Sequence, residues 1–170
     1  MSQTTKLDPI ASTAHAMADA AGEVTLAFFR RGDLAVSNKA VGAERFDPVT
    51  EADRGAEHAI RSVIAEHFPD DRILGEEFEA VTGDGAREWV IDPIDGTGAF
   101  ICGLPTWGTL IGLRDSERVH FGLMDQPFTR ERYWGGAEDG SFFAVSNAAP
   151  ARLATAPTRN VSAASLATTD

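Results

Sequence analysis

The chain has 170 residues, 43 % of them apolar, enough for one domain with its own core. Its 26 acidic residues against 15 basic ones give a net charge of −11, which argues against a nucleic-acid partner, because a phosphate backbone demands a basic footprint. The single cysteine, Cys102, excludes an internal disulfide and suits a reducing compartment such as the cytoplasm, and no apolar run is long enough to span a membrane.

In chain order, Ile10, Ala14, Met17, Ala21, Val24 and Phe28 recur at helical spacing and predict an amphipathic helix ending near Arg31-Gly32. An extended or hairpin-like stretch follows. Thr50 and Asp53 form a Thr-x-x-Asp capping pair that opens a second helix, whose buried face is expected to be Ala56, Ala59, Ile60, Val63 and Ile64, with Phe68-Pro69 as the stop. Ile73-Leu74 is a short apolar pair before Gly75-Glu76-Glu77, and Trp89-Val90-Ile91 reads as a strand. "WGTLIGL" and "RVHFGLMD" are strand candidates joined by "RDSE", "ERYWGGAEDGSFFAV" is a hairpin with Asp139-Gly140 at its tip, and "ARLA" adds an edge. The expected class is α+β or layered α/β, two N-terminal helices on a mostly antiparallel sheet.

The chemistry gathers at element ends. Asp92 precedes a proline and is therefore extended, at the last step of its strand, with Pro93 turning the chain and Asp95 facing the same small volume. Two such anions either share a proton or are bridged by a cation, and Gly96 and Thr97 offer backbone N–H groups that suit an oxyanion. Read alone, the stretch is also compatible with a plain Asx-type turn. "LGEE" places Glu76 and Glu77 at another strand end, where a solvated acidic turn is the simpler reading, and "FDPVTEAD" places Asp47 before a proline at a helix entry. Together the three acidic clusters describe a site for a hard cation such as Mg²⁺. A phosphatase that uses an Asp-x-Asp nucleophile pair is excluded by spacing, since Ile94 stands where its acid/base would be. His15, His58, His67 and His120 show no paired ligand spacing, and Cys102 has no histidine near it in sequence.

"DPVTEAD", "GEE" and "WVIDPIDGT" stand in the order and approximate spacing of the inositol monophosphatase family, which the chain resembles over nearly its whole length. Within that family "ILGEEF", "FICGLPTWGTLIGL" and "GLMDQPFTRERYWG" look most like the bacterial histidinol-phosphatase branch. The resemblance implies Mg²⁺-dependent hydrolysis of a small phosphomonoester, with histidinol phosphate in histidine biosynthesis first and inositol monophosphate next. It implies that Glu76, Asp92 and the carbonyl of Ile94 hold one metal and that Asp92 and Asp95 hold a second. Asp47 and Thr97 would pair to help Glu76 activate a water for in-line attack without a phosphoenzyme, while Gly96 and Thr97 hold phosphate oxygens. Glu77 and Lys39 would lie nearby.

Family members are longer and draw a further metal-ligating aspartate from their second half. Residues 1–170 are thus expected to be the N-terminal metal-binding part of the αβαβα sugar-phosphatase sandwich without its C-terminal domain, weakly active or inactive alone. The alternative is a non-catalytic remnant or assembly subunit, with a homodimer as the expected assembly. No nucleic-acid or membrane partner is expected.

Overall fold

The computed structural model describes residues 9–32, 34, 36–38, 48–157 and 160–165. Helix α1 spans Pro9–Phe28, strands β1 (Val36–Asn38) and β2 (Pro48–Thr50) pair antiparallel, and helix α2 spans Glu51–His67. Strand β3 (Arg72–Gly75), strand β4 (Glu88–Asp95), the short helix α3 (Thr97–Ile101) and strands β5 (Gly108–Arg114), β6 (Val119–Gln126), β7 (Glu131–Gly136), β8 (Gly140–Val145) and β9 (Ala151–Leu153) follow. β3 to β9 lie side by side in chain order in one seven-stranded sheet. Every pairing in that sheet is antiparallel except β3 with β4, which is parallel. The α+β class with two helices on a mostly antiparallel sheet is therefore the observed one.

Alternation along the strands explains which face the helices cover. Trp89 and Ile91 of β4, Ile111 and Leu113 of β5, and Phe121 and Leu123 of β6 point to one side, where they pack against Ala14, Met17, Ala18 and Ala21 of α1 and Ile60 and Ile64 of α2. Small residues on α1 let the helix lie close to the sheet. Arg132 locks this layer: its Nε donates to Asp125 Oδ1 at 2.7 Å and its Nη2 to Asp19 Oδ1 on α1, also at 2.7 Å. Asp71 is buried at the foot of β3 and accepts from Trp89 Nε1 (3.0 Å) and from Arg87. The α2 capping box is present as the sequence implied, with Thr50 N donating to Asp53 Oδ2 at 2.8 Å.

Three local features depart from the expected ones. α1 ends at Phe28 rather than at Gly32, and Arg30 takes a positive φ of 62°. Its guanidinium lies 4.5 Å from the centre of the Phe128 ring and its Nε donates to Gly103 O, contacts that offset the strain of a left-handed non-glycine residue. Pro93 does not end its strand. β4 continues to Asp95 through a register shift between Asp92, opposite Leu110, and Asp95, opposite Gly108. Proline lacks an N–H for the ladder, so it is tolerated at a bulge or where one side of the strand is unpaired, and here the β3 pairing has already ended at Ile91. Finally, the buried face of α2 includes Asp53 and Glu57, 1 % and 0 % exposed, while Ala59 and Val63 are only half-buried.

The opposite face of the sheet carries Val90, Asp92, Leu110, Met124, Tyr133 and Leu153 around a broad concavity of about 600 Å³. No described helix covers it. Among the described residues no helix is long and apolar enough to cross a membrane.

The bulge is fastened by Thr109, fully buried, whose Oγ1 donates to Pro93 O at 2.9 Å. Thr109→Val keeps the side-chain volume but leaves that carbonyl without its donor. The urea midpoint should fall by the equivalent of about 1–3 kcal/mol, the cost of an unsatisfied buried polar group; an unchanged midpoint would show that the hydroxyl does not hold the bulge.

Candidate metal centre

Parallel pairing brings the two acidic strand ends together. Gly75 stands beside Ile91 in the β3–β4 register, so the next step of each chain sets Glu76 beside Asp92. The two side chains share a hydrogen bond. Asp92 is half-buried, and burial, followed by the charge and hydrogen bond of Glu76 and then the charge of Asp95, pushes its carboxyl up to about 8. The hydrogen bond from the Ile94 backbone pulls the other way and does not prevail. At neutral pH the Glu76–Asp92 pair thus holds a proton between two carboxylates.

The bulge at Pro93-Ile94 re-aims the chain, leaving Asp95 exposed at the mouth of the site. Gly96 then adopts φ +87°, and a Cβ there would press to 2.9 Å of Thr106 O, so only glycine makes this turn into α3. Thr97 opens α3, with its Oγ1 3.0 Å from Ile94 O and 3.3 Å from Asp53 Oδ1, two acceptors for one hydroxyl proton. Phe100 and Trp107 lie behind this loop as buried core, ring to ring at 4.9 Å, and Cys102 is exposed.

Glu76, Asp92, Ile94, Asp95, Gly96 and Thr97 therefore all sit at one end of β3 and β4. Asp47 and Lys39 lie outside the described residues. Among the described residues no three acidic or histidine side chains are gathered into a set that could hold a metal. Without a cation, repelling carboxylates must share a proton or stand apart. The first holds for Glu76 and Asp92, while Asp95 acts on Asp92 through its charge alone. A divalent cation fits the donors present: all are hard oxygens, and Asp92 Oδ1 is buried with no hydrogen-bond partner among the described residues.

Two site residues were missed in the sequence. Asp53 is read there only as a helix cap, a role it keeps through Oδ2, while its other oxygen, Oδ1, accepts from Thr97. Glu57 carries no signal at all, although its i,i+4 spacing from Asp53 places both on one side of α2.

The raised Asp92 carboxyl makes a signed prediction for the metal-free protein. The folded form binds the proton more tightly than the unfolded chain, whose value lies near 3.8. This contribution to stability is fully present below pH 3.8 and is lost as pH rises through about 8. Asp92→Asn should remove that pH dependence and raise the thermal midpoint relative to the parent at pH 8. Parallel midpoint-against-pH curves for the two proteins would contradict it.

The sequence pattern of the inositol monophosphatase family matches residues 6–169. The chain is 36 % identical over 151 residues to a histidinol-phosphatase of Mycobacterium tuberculosis, covering 89 % of this chain and 56 % of that one. It is 42 % identical over 127 residues to a histidinol-phosphatase of Chlorobaculum parvum, covering 74 % and 47 %. Among solved structures, the extragenic suppressor protein SuhB of Bartonella henselae superposes with a TM-score of 0.75 at 27 % identity, over 82 % of this chain and 53 % of that one. An inositol monophosphatase of Zymomonas mobilis does so with a TM-score of 0.63 at 40 % identity, over 79 % and 50 %. The chain spans about half the length of the curated relatives it matches. A match across almost every residue, joined to a shared fold and to acidic strand ends placed together, establishes that this chain belongs to the inositol monophosphatase family.

Proposed function

We propose that the protein hydrolyses a small phosphomonoester with the help of Mg²⁺, and that histidinol phosphate is its substrate, in histidine biosynthesis in the cytoplasm. The observation that carries the reading is Asp92 Oδ1, buried beside Glu76 with no hydrogen-bond partner among the described residues, an acceptor that a bound cation would satisfy. Relatives named histidinol-phosphatase, matched over most of this chain, support the choice of substrate over inositol monophosphate.

In this reading residues 1–170 are the metal-binding portion of the catalytic unit. Glu76, Asp92, the carbonyl of Ile94 and Asp95 would hold magnesium. When bound, it neutralises phosphoryl charge and lowers the pKa of the attacking water. Glu76 would accept a proton from that water, and the Thr97 hydroxyl, which meets Asp53 Oδ1 at 3.3 Å, would orient it. The N–H groups of Gly96 and Thr97, at the start of α3, would bind phosphate oxygens.

The open apolar sheet face favours a second reading, in which this stretch associates with a second copy of itself through Leu110, Met124 and Tyr133 and catalyses nothing.

Phosphate release tests the leading proposal. The purified protein should hydrolyse histidinol phosphate at least tenfold more efficiently than inositol monophosphate, stop on chelation and resume with Mg²⁺. Glu76→Gln should lower turnover by about 10²-fold or more, the scale of losing a positioned proton acceptor. Chelator-resistant turnover would refute the metal, and preference for inositol monophosphate would refute the substrate.

Calorimetry separates the two readings. Mg²⁺ should bind with release of about one proton at pH 7, seen as a heat that varies with the ionisation enthalpy of the buffer, because the Asp92 proton must leave. Asp92→Asn should abolish the binding, whereas a purely associating chain would give no Mg²⁺ heat in either protein.

A further inference from the structure

The turn that carries Glu76 is held from beneath by α2. Glu57, fully buried, accepts from the backbone N of Glu77 at 2.7 Å through Oε2. Its other oxygen, Oε1, accepts from Arg61 Nε at 2.8 Å, and Arg61 Nη2 stands 2.7 Å from the same oxygen. Arg61 then reaches past Glu57 and donates through Nη2 to Phe78 O (3.2 Å) and Glu79 O (3.1 Å). One side chain pair thus grips three consecutive residues of the turn, 77 to 79. Gly75 completes the arrangement, because a Cβ at that position would overlap the Glu57 carboxylate and Arg61 Nη2. The close approach of β3 to α2 therefore needs both the glycine and the carboxylate beneath it.

One helical turn earlier, Asp53 meets Thr97 at the start of α3. Asp53, Glu57 and Arg61 follow one another at i,i+4 along α2, so a single rigid element touches both loops that bear the acidic groups of the site. A fully buried carboxylate that gains nothing but these contacts is costly to retain unless it fixes a geometry. We propose that Glu57, clasped by Arg61, is a positioning residue for Glu76, setting the Gly75–Glu79 turn at a fixed distance from the Asp92–Thr97 loop through the shared helix. The proposal rests on the metal-dependent reading of the site, and groups that orient metal ligands typically govern affinity by about 10–100-fold.

Glu57→Met and Glu57→Gln test it. Methionine keeps the length and apolar packing of the side chain and removes the acceptor, whereas glutamine retains an oxygen for the Glu77 N–H. The exchange rate of the Glu77 amide, the Mg²⁺ dissociation constant and the urea midpoint are measured on each protein. The Glu77 amide should be protected in the parent and in Glu57→Gln and should exchange at least tenfold faster in Glu57→Met. The Mg²⁺ dissociation constant should rise at least tenfold in Glu57→Met and stay within threefold of the parent in Glu57→Gln, even if both lose stability.

Parental Mg²⁺ affinity in folded Glu57→Met, or equal weakening in both variants, would overturn the positioning role. An unprotected Glu77 amide in the parent would also overturn it, and this measurement decides the matter should Glu57→Met not fold. If the parent binds no Mg²⁺ the reading of the site fails, while the exchange rates still show whether Glu57 holds the turn.

Discussion

Repulsion between Glu76 and Asp92 is the interaction around which this structure is arranged. A parallel register, Gly75 beside Ile91, forces two strand ends that both terminate in carboxylates to open at the same end of the sheet. An antiparallel pairing would have sent them to opposite ends and relieved the conflict. The conflict is kept, and without a cation it is met by a shared proton on a carboxyl pushed up to about 8. Groups displaced this far in free energy tend to mark sites where something else is meant to bind.

The rest of the site is built to preserve that juxtaposition. The bulge at Pro93-Ile94 leaves Asp95 exposed just beyond that pair, and Thr109 fixes the bulge from the neighbouring strand. The left-handed Gly96 turns the chain at once into α3, placing Thr97 against α2. α2 in turn meets the Glu76 turn through Glu57. Two loops distant in sequence are thereby referred to one helix, which is packed on the sheet by Ile60 and Ile64. Rigidity at the site is inherited from the core, not from the loops themselves.

Much of this was legible in the residues. The capping pair Thr50 and Asp53 placed the start of α2, because side-chain capping is a local interaction that needs no tertiary information. The alternation in "RVHFGLMD" and the turn glycine Gly140 marked strands and a hairpin for the same reason. Parallel pairing of β3 was not legible, since a short apolar run gives no direction to its partner. Pro93 misled: the rule that proline ends a central strand yields where a bulge removes the need for its N–H. Glu57 was invisible because a charged residue in a helical pattern is ordinarily a solvated one, and only its partners Arg61 and Glu77 N, four and twenty residues away, make burial tolerable.

The central claim, that Glu76 and Asp92 converge to hold a hard dication, is tested most directly by diffraction from crystals soaked in Mn²⁺ as a surrogate for Mg²⁺. The account predicts an anomalous peak between the two carboxylates, in contact with Asp92 Oδ1 and absent from crystals of Asp92→Asn. A map with no peak there at saturating Mn²⁺, and with Glu76 still hydrogen-bonded to Asp92, would contradict it.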